Sequence, residues 1–246
     1  MSSLKMFLVT LKKQGDTPLR NINTQSIENF KKVQLDKKRS VCGINKDLRG
    51  VACYLKYALE KEYIKQLPKI LKFKEPIKPP KYINERDWSK LMELDSLSDW
   101  WKDVFTLYRT SGMRRSEPIN GYIDGNFLVV SAELSKTKRQ LDIYLEDWQV
   151  DIVKKIHVAR DEHLEKGSKM VTFKGKFSKT FKDALVEVGI YEKNITKFHC
   201  LRDTFAVIRY LETRDLYKVC KELNHTSIKT TEKYAVFSWR RLEQDF

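Results

Sequence analysis

The stretch from Lys197 to Phe237 holds two of the chain's four histidines, His199 and His225, with Arg202 three residues after the first and Tyr234 nine residues after the second. A tyrosine hydroxyl has an ordinary pKa of about 10 and is a weak nucleophile at neutral pH. It becomes useful when it is aimed at an activated electrophile. A phosphodiester resists attack because its oxygens are negative. Guanidinium groups lift that resistance through paired, charge-assisted hydrogen bonds to the non-bridging oxygens, and they stay protonated at any working pH. Histidines add hydrogen bonds or take up a proton, and a lysine can protonate the departing oxygen. The sequence offers that set in Arg114, Lys136, His199, Arg202, His225 and Tyr234.

Such groups must be held by rigid elements, and the periodicity supplies mostly helices. Residues 24–35 open on Thr24 as an N-cap, with Ile27, Phe30 and Val33 on one helical face. From Ser40 onward, Ile44, Leu48, Val51, Leu55 and Leu59 recur at spacings of three and four, and lysines and arginines fill much of the other face. Residues 72–83, KFKEPIKPPKYI, carry three prolines and four lysines and suit neither helix nor central strand. Helical pattern resumes at Asn84 and is interrupted at Gly112. The runs NFLVV and QLDIYL read as two strands of a small antiparallel sheet, joined by a loop that carries Lys136, Lys138 and Arg139. Residues 146–246 read as mostly helical. The expected fold is mainly α with a small antiparallel β-sheet, divided into a helical domain over 1–74, a basic proline-rich linker over 75–84 and a second domain over 85–246.

The net charge is +15, and residues 1–80 hold 18 Lys/Arg against 7 Asp/Glu. That asymmetry points to a polyanionic partner, because neutralised phosphates release condensed counterions. No stretch approaches the ~20 consecutive apolar residues of a membrane helix, and the N-terminus lacks the pattern of a signal peptide; an intracellular, cytoplasmic protein is expected. The four cysteines, Cys42, Cys53, Cys200 and Cys220, form no CxxC pair and are expected to be buried small hydrophobes. His199, Cys200, Cys220 and His225 fit no familiar zinc spacing, so no metal and no cofactor is expected. Tyr210 and Tyr217 are expected to be packing residues.

The constellation resembles that of the tyrosine recombinases, the phage-type integrase family. TSGMRRSEP is similar to the family's T-G-[LM]-R-x-S-E box and puts Arg114, with Glu117 as the acidic residue, in the first catalytic place. The hairpin lysine falls on Lys136 in LSKTKR, with Lys138 as the alternative. HCLRDTFA resembles H-x-L-R-[HD]-[TS]-F-A and gives His199 and Arg202. LNHTSIKTTEKYA resembles L-G-H-x-[SD]-x-x-T-T-x-x-Y and gives His225 and the nucleophile Tyr234. Two departures stand out. Asn224 replaces the glycine before the second histidine, and asparagine tolerates the left-handed backbone. Ser111 lies between Thr110 and Gly112, which shifts the threonine.

The resemblance implies a site-specific recombinase of duplex DNA. Arg114 and Arg202 hold the scissile phosphate, assisted by His199 and His225. Tyr234 attacks to give a 3′-phosphotyrosyl enzyme and a free 5′-hydroxyl, Lys136 is the general acid, and His199 handles the tyrosine proton. Neither ATP nor a metal is needed. The N-terminal helices resemble a core-DNA-binding domain with no room for a further arm-binding domain. Four protomers exchange strands through a Holliday junction, with or without a DNA-bending accessory protein. The apolar tail, with Val236, Phe237, Trp239, Leu242 and Phe246, is expected to dock in trans on a neighbouring protomer, as such segments do in this family, the alternative being that it caps its own core. The alternatives are a type IB topoisomerase, a catalytically silent DNA-binding regulator and, on charge alone, an RNA-binding protein.

Overall fold

The computed structural model describes residues 3–12, 18–75, 79–192, 196–235 and 242–246. The chain divides into two compact units, Met1–Ile77 and Lys78–Phe246. The division falls within the proline- and lysine-rich stretch.

The first unit is built from α1 (Ser3–Lys12), α2 (Thr24–Asp36) and α3 (Val41–Glu60). Helix α2 is capped one residue earlier than expected. Asn23, not Thr24, accepts the Ser26 amide at 3.1 Å, and Ser26 returns the bond. Asparagine in extended backbone satisfies an orphan amide that a helical Thr24 cannot reach. Ser40 caps α3 by accepting from the Gly43 amide. The stripe Ile44, Leu48, Val51 and Leu55 is fully buried against Phe7, Ile27 and Phe30. Phe7 and Phe30 meet edge to face, 5.4 Å apart.

Cys42 and Cys53 correct the sequence expectation, for both are exposed, while Cys200 and Cys220 are buried. The reason is helical phase. Positions 42 and 53 lie off the buried stripe, on the face that also exposes Lys46, Arg49 and Lys56. Burial raises the Cys200 thiol to about 11, which suppresses its thiolate. Two of the four thiols should therefore react with a thiol reagent in the native protein, and the other two only on unfolding. Four equally fast thiols would contradict the packing around Cys200 and Cys220.

The second unit is mainly helical around a small sheet. Its helices are α4 (Glu85–Met92), α5 (Asp99–Ser111), α6 (Glu117–Asn120), α7 (Asp147–Glu165), α8 (Met170–Glu187), α9 (Cys200–Thr213) and α10 (Leu216–Glu222). Aromatic residues lock the centre: Tyr108 and Phe198 lie 4.7 Å apart, and Phe105 and Phe181 5.0 Å. Strands β1 (Tyr122–Asp124), β2 (Phe127–Val130) and β3 (Leu141–Tyr144) form an antiparallel sheet in the order β1-β2-β3. Phe127 pairs with Tyr144 and Val130 with Leu141. The first strand was not expected. Three residues are too short to show alternation, and the signal lay in the turn, where Gly125 takes φ 54° between paired Asp124 and Phe127.

Residues 82–84, expected within a linker, belong to the second unit. The Ile83 amide donates to Thr204 Oγ1 at 2.9 Å, and the Tyr82 hydroxyl donates to Asp245 Oδ2 at 2.5 Å. The chain's own C-terminal residues 242–246 close this edge. Leu242 is buried, the Glu85 amide donates to the Asp245 carbonyl, and the Phe246 ring lies 5.6 Å from that of Tyr82. These residues are thus seated in cis. Val236, Phe237 and Trp239 lie outside the described residues. Tyr210 packs as expected, but Tyr217 is exposed, beneath the Lys221 ammonium.

Candidate active site

Helix α5 ends because Gly112 enters the left-handed region at φ 64°, its amide still reaching the Tyr108 carbonyl at 3.1 Å. The chain reverses there, and the Tyr108 hydroxyl pins the turn by donating to the Arg115 carbonyl at 2.8 Å. A Cβ on Gly112 would also overlap the Phe205 ring, 2.8 Å from Cε1 and Cγ.

Glu117 organises the two arginines. Its carboxylate is buried, accepting the Arg114 amide at 2.6 Å on one oxygen and the Arg114 guanidinium at 2.7 Å on the other. The Arg202 guanidinium lies 3.9 Å from the first of these oxygens. Arg202 is 3% exposed and donates to the Gly112 carbonyl at 2.6 Å and to the Leu223 carbonyl. Arg114 reaches the Asn224 carbonyl at 3.4 Å. Two guanidiniums and one carboxylate thereby tie the end of α5, the start of α9 and the end of α10. Burial and the neighbouring Arg114 lower Arg202 to about 10, which leaves it cationic at neutral pH.

Asn224 takes φ 49°, the left-handed turn that its amide side chain tolerates. The turn delivers His225, whose Nδ1 lies 2.9 Å from the hydroxyl of buried Thr231. Burial first, then Arg202, Arg114, Lys233 and His199, push His225 down to about 4, so it is neutral at pH 7. In the tautomer in which Thr231 donates to Nδ1, Nε2 carries the only N–H and can donate it. His199 stands at the start of α9 with exposed surface. Desolvation lowers its imidazole; Asp203 opposes that shift, whereas Arg202, Lys233 and Arg114 add to it. The other two histidines serve elsewhere: His157 Nε2 lies 2.8 Å from the Pro118 carbonyl and His163 Nε2 2.9 Å from Thr172 Oγ1.

Tyr234 is 1% exposed. Its hydroxyl donates to Asp203 Oδ1 at 2.6 Å, and Lys233 Nζ donates to the same oxygen at 2.7 Å. Burial, then the charge and hydrogen bond of Asp203, raise the phenol well above its ordinary pKa. Asp203 and Lys233 were missed as partners in the sequence, although Asp203 lies inside the HCLRD box. Lys136 shares no hydrogen bond or ion pair with the other five residues. It is exposed on the β2–β3 loop and has no hydrogen bond or ion pair among the described residues. Lys138 donates to the Glu133 carbonyl at 3.3 Å within the same loop. No group of three or more His, Cys, Asp or Glu side chains among the described residues is arranged to hold a metal ion.

Residues 81–238 match the model of the phage integrase family. The chain belongs to the phage integrase family. The fold of this chain agrees with solved structures across nearly its whole length. XerH site-specific recombinase bound to palindromic difH substrate, in a post-cleavage complex, superposes with a TM-score of 0.72 at 17% identity, over 98% of this chain and 76% of that one. A lambda integrase tetramer bound to a Holliday junction gives 0.66 at 18% identity, over 94% and 71%. The Tn1549 transposon integrase in complex with transposon right end DNA gives 0.65 at 12% identity, over 99% and 98%. No curated protein matches the sequence. Among the described residues no helix is long and apolar enough to cross a membrane.

Proposed function

We infer that this protein is a site-specific DNA recombinase that cleaves and rejoins duplex DNA through Tyr234. The observation that carries the reading is the convergence of Arg114 and Arg202 on Glu117, with His225 and Tyr234 delivered by the turns after α10. Two fixed guanidiniums stabilise charge developing on a phosphoryl group without reorganising. The Tyr234 oxygen bonds to phosphorus as the bond to the 5′-oxygen breaks. His199 takes the tyrosine proton, and neutral His225 donates to a phosphate oxygen. Lys136, moved inward with its loop when DNA is bound, protonates the 5′-oxygen. The product is a 3′-phosphotyrosyl link that conserves the phosphodiester for rejoining. The basic first unit, with Lys46, Arg49 and Lys56 exposed on α3, is a second DNA-binding unit. Strand exchange by four protomers through a Holliday junction completes the reading. Docking of the tail in trans then requires residues 242–246 to leave the edge that they close in cis.

The test is a nicked suicide duplex carrying the native site, or a pool of candidate sites, incubated with EDTA. Wild type should give a protein–DNA adduct that survives SDS, and Tyr234→Phe should give none while binding the duplex equally well. Tight binding with no adduct from either protein would make the chain a DNA-binding regulator. Relaxation of supercoiled DNA without strand exchange would make it a type IB topoisomerase.

A further inference from the structure

Helices α5, α7 and α8 leave a groove open on the second unit. At one end it deepens into a cavity of about 250 Å³ walled by Trp100, Trp101, Phe173 and Phe177, with exposed Lys166 and Lys176 also lining it. At the other it runs over Val158 and Ala159, beside Lys154 and Lys155. The two ends share Trp100, Ala159 and Glu162. Trp101 is held edge to face against Phe177, 5.3 Å away. Helical phase puts Val158 outside the buried stripe of Val150, Val153 and Ile156, and it is 60% exposed. A single exposed valine is ordinary, but one continuous with an aromatic-walled cavity marks a contact surface.

The walls are apolar and the edge is cationic. Lys154, Lys155 and Lys166 make no hydrogen bond or ion pair among the described residues, and Glu162 is the one carboxylate among the described lining residues. Lys176 is held in place by a relay. Its ammonium lies 3.2 Å from His163 Nδ1. An ammonium can only donate, so Nδ1 accepts and Nε2 carries the hydrogen, which goes to Thr172 Oγ1 at 2.9 Å. The Thr172 hydroxyl donates its own hydrogen to the Lys169 carbonyl at 2.5 Å. Lys176 keeps further N–H donors for an anion. The groove lies away from the arginine pair. Trp100 stands in the first turn of α5 and Gly112 at its far end, about 18 Å along the axis at ~1.5 Å per residue. On α8, Ser178 receives Arg115 from a face roughly 100° round the helix from Phe173 and Phe177.

We propose that this groove docks an acidic, amphipathic segment of a partner protein, with its apolar side chains against Trp100, Phe173 and Val158 and its carboxylates on Lys154, Lys155 and Lys176. Charge complementarity selects that occupant: an apolar floor edged by cations matches apolar anchors set between carboxylates. The tryptophans are the residue type on which binding energy concentrates. A second copy of this chain, at net charge +15, is a poor match to a cationic edge. Duplex DNA would meet the lysines but would bring hydrated phosphates against the apolar floor. The inference stands apart from the reading of Tyr234 as nucleophile, since none of these residues belongs to that site.

Selection from a random peptide library displayed on phage tests it. The bait is the full chain, immobilised and saturated with a mixed-sequence duplex so that DNA-binding surface cannot enrich acidic peptides. Enriched peptides should carry an excess of Asp and Glu around Leu, Phe or Trp. A synthetic copy of the most enriched one, followed by fluorescence anisotropy, should bind at least about tenfold more weakly to Val158→Glu and to the double variant Lys154→Glu, Lys155→Glu. Both variants change exposed side chains and should melt with wild type. Both should also keep the wild-type Kd for duplex. No enrichment, enrichment without an acidic excess, or a peptide indifferent to both variants would overturn the proposal. So would competition by duplex or a tenfold loss of duplex affinity in the double variant, either of which would make the groove part of a DNA-binding surface.

Discussion

Replacing Arg202 by lysine is expected to slow single-turnover cleavage about a thousandfold and to lower stability by about 1–3 kcal/mol. The guanidinium donates to the Gly112 and Leu223 carbonyls at once and lies 3.9 Å from the Glu117 carboxylate. A lysine offers a single point of charge and cannot span two carbonyls in a fixed fork. One of the two buried acceptors is then left unsatisfied. The same burial and the same repulsion from Arg114 that lower Arg202 to about 10 would act on an amine whose ordinary pKa is already lower. Part of the charge that steadies the phosphate would therefore be lost near neutral pH. Thermal melting measures the structural part and the adduct assay the chemical part. A variant within tenfold of wild type and with an unchanged melting temperature would remove Arg202 from the phosphate clamp.

Gly112→Ala should damage both the stability and the activity of the second unit. Gly112 holds φ 64°, where a Cβ costs about 1–2 kcal/mol. That Cβ would also lie 2.8 Å from two carbons of the Phe205 ring, and overpacking of this kind adds about 1–3 kcal/mol. The combined loss of about 2–5 kcal/mol corresponds to a fall in melting temperature of roughly 5–15 °C. The activity loss should exceed what stability explains. The Gly112 carbonyl anchors Arg202, and the next residues carry Arg114, so a shifted turn displaces both guanidiniums together. A misplacement near 1 Å is enough to cost about a hundredfold in rate. An alanine variant that melts with wild type would mean that the turn tolerates the methyl group and that the Arg202 anchor lies elsewhere.

Much of the architecture was legible because it arises from local physics. The buried stripe Ile44, Leu48, Val51 and Leu55 is a helical period written in apolar residues. The end of α5 is a glycine that alone among residues enters the left-handed region at little cost, and the turn before His225 is an asparagine that comes next. Strands β2 and β3 carried β-branched and aromatic residues, whereas β1 was too short to declare itself. The cysteines were misread by type. Their chemistry suggested burial, but helical phase decides exposure, and phase puts Cys42 and Cys53 on the basic face of α3.

The sequence by itself determined which residues of the types that phosphoryl chemistry would need are present and in what order, because the chemistry restricts residue type and the boxes keep them in local register. It did not determine their partners. That Glu117 joins Arg114 to Arg202, and that Asp203 accepts the hydrogen bond of the Tyr234 hydroxyl, depends on side chains meeting across segments distant in the chain. Nor did it determine that Lys136 stands out on its loop, since a loop's position depends on the sheet that carries it and on what binds there. Hydrogen bonds between distant segments form only when packing brings donor and acceptor within about 3 Å. The tertiary structure alone therefore decided that Tyr234 is buried with its hydroxyl on Asp203.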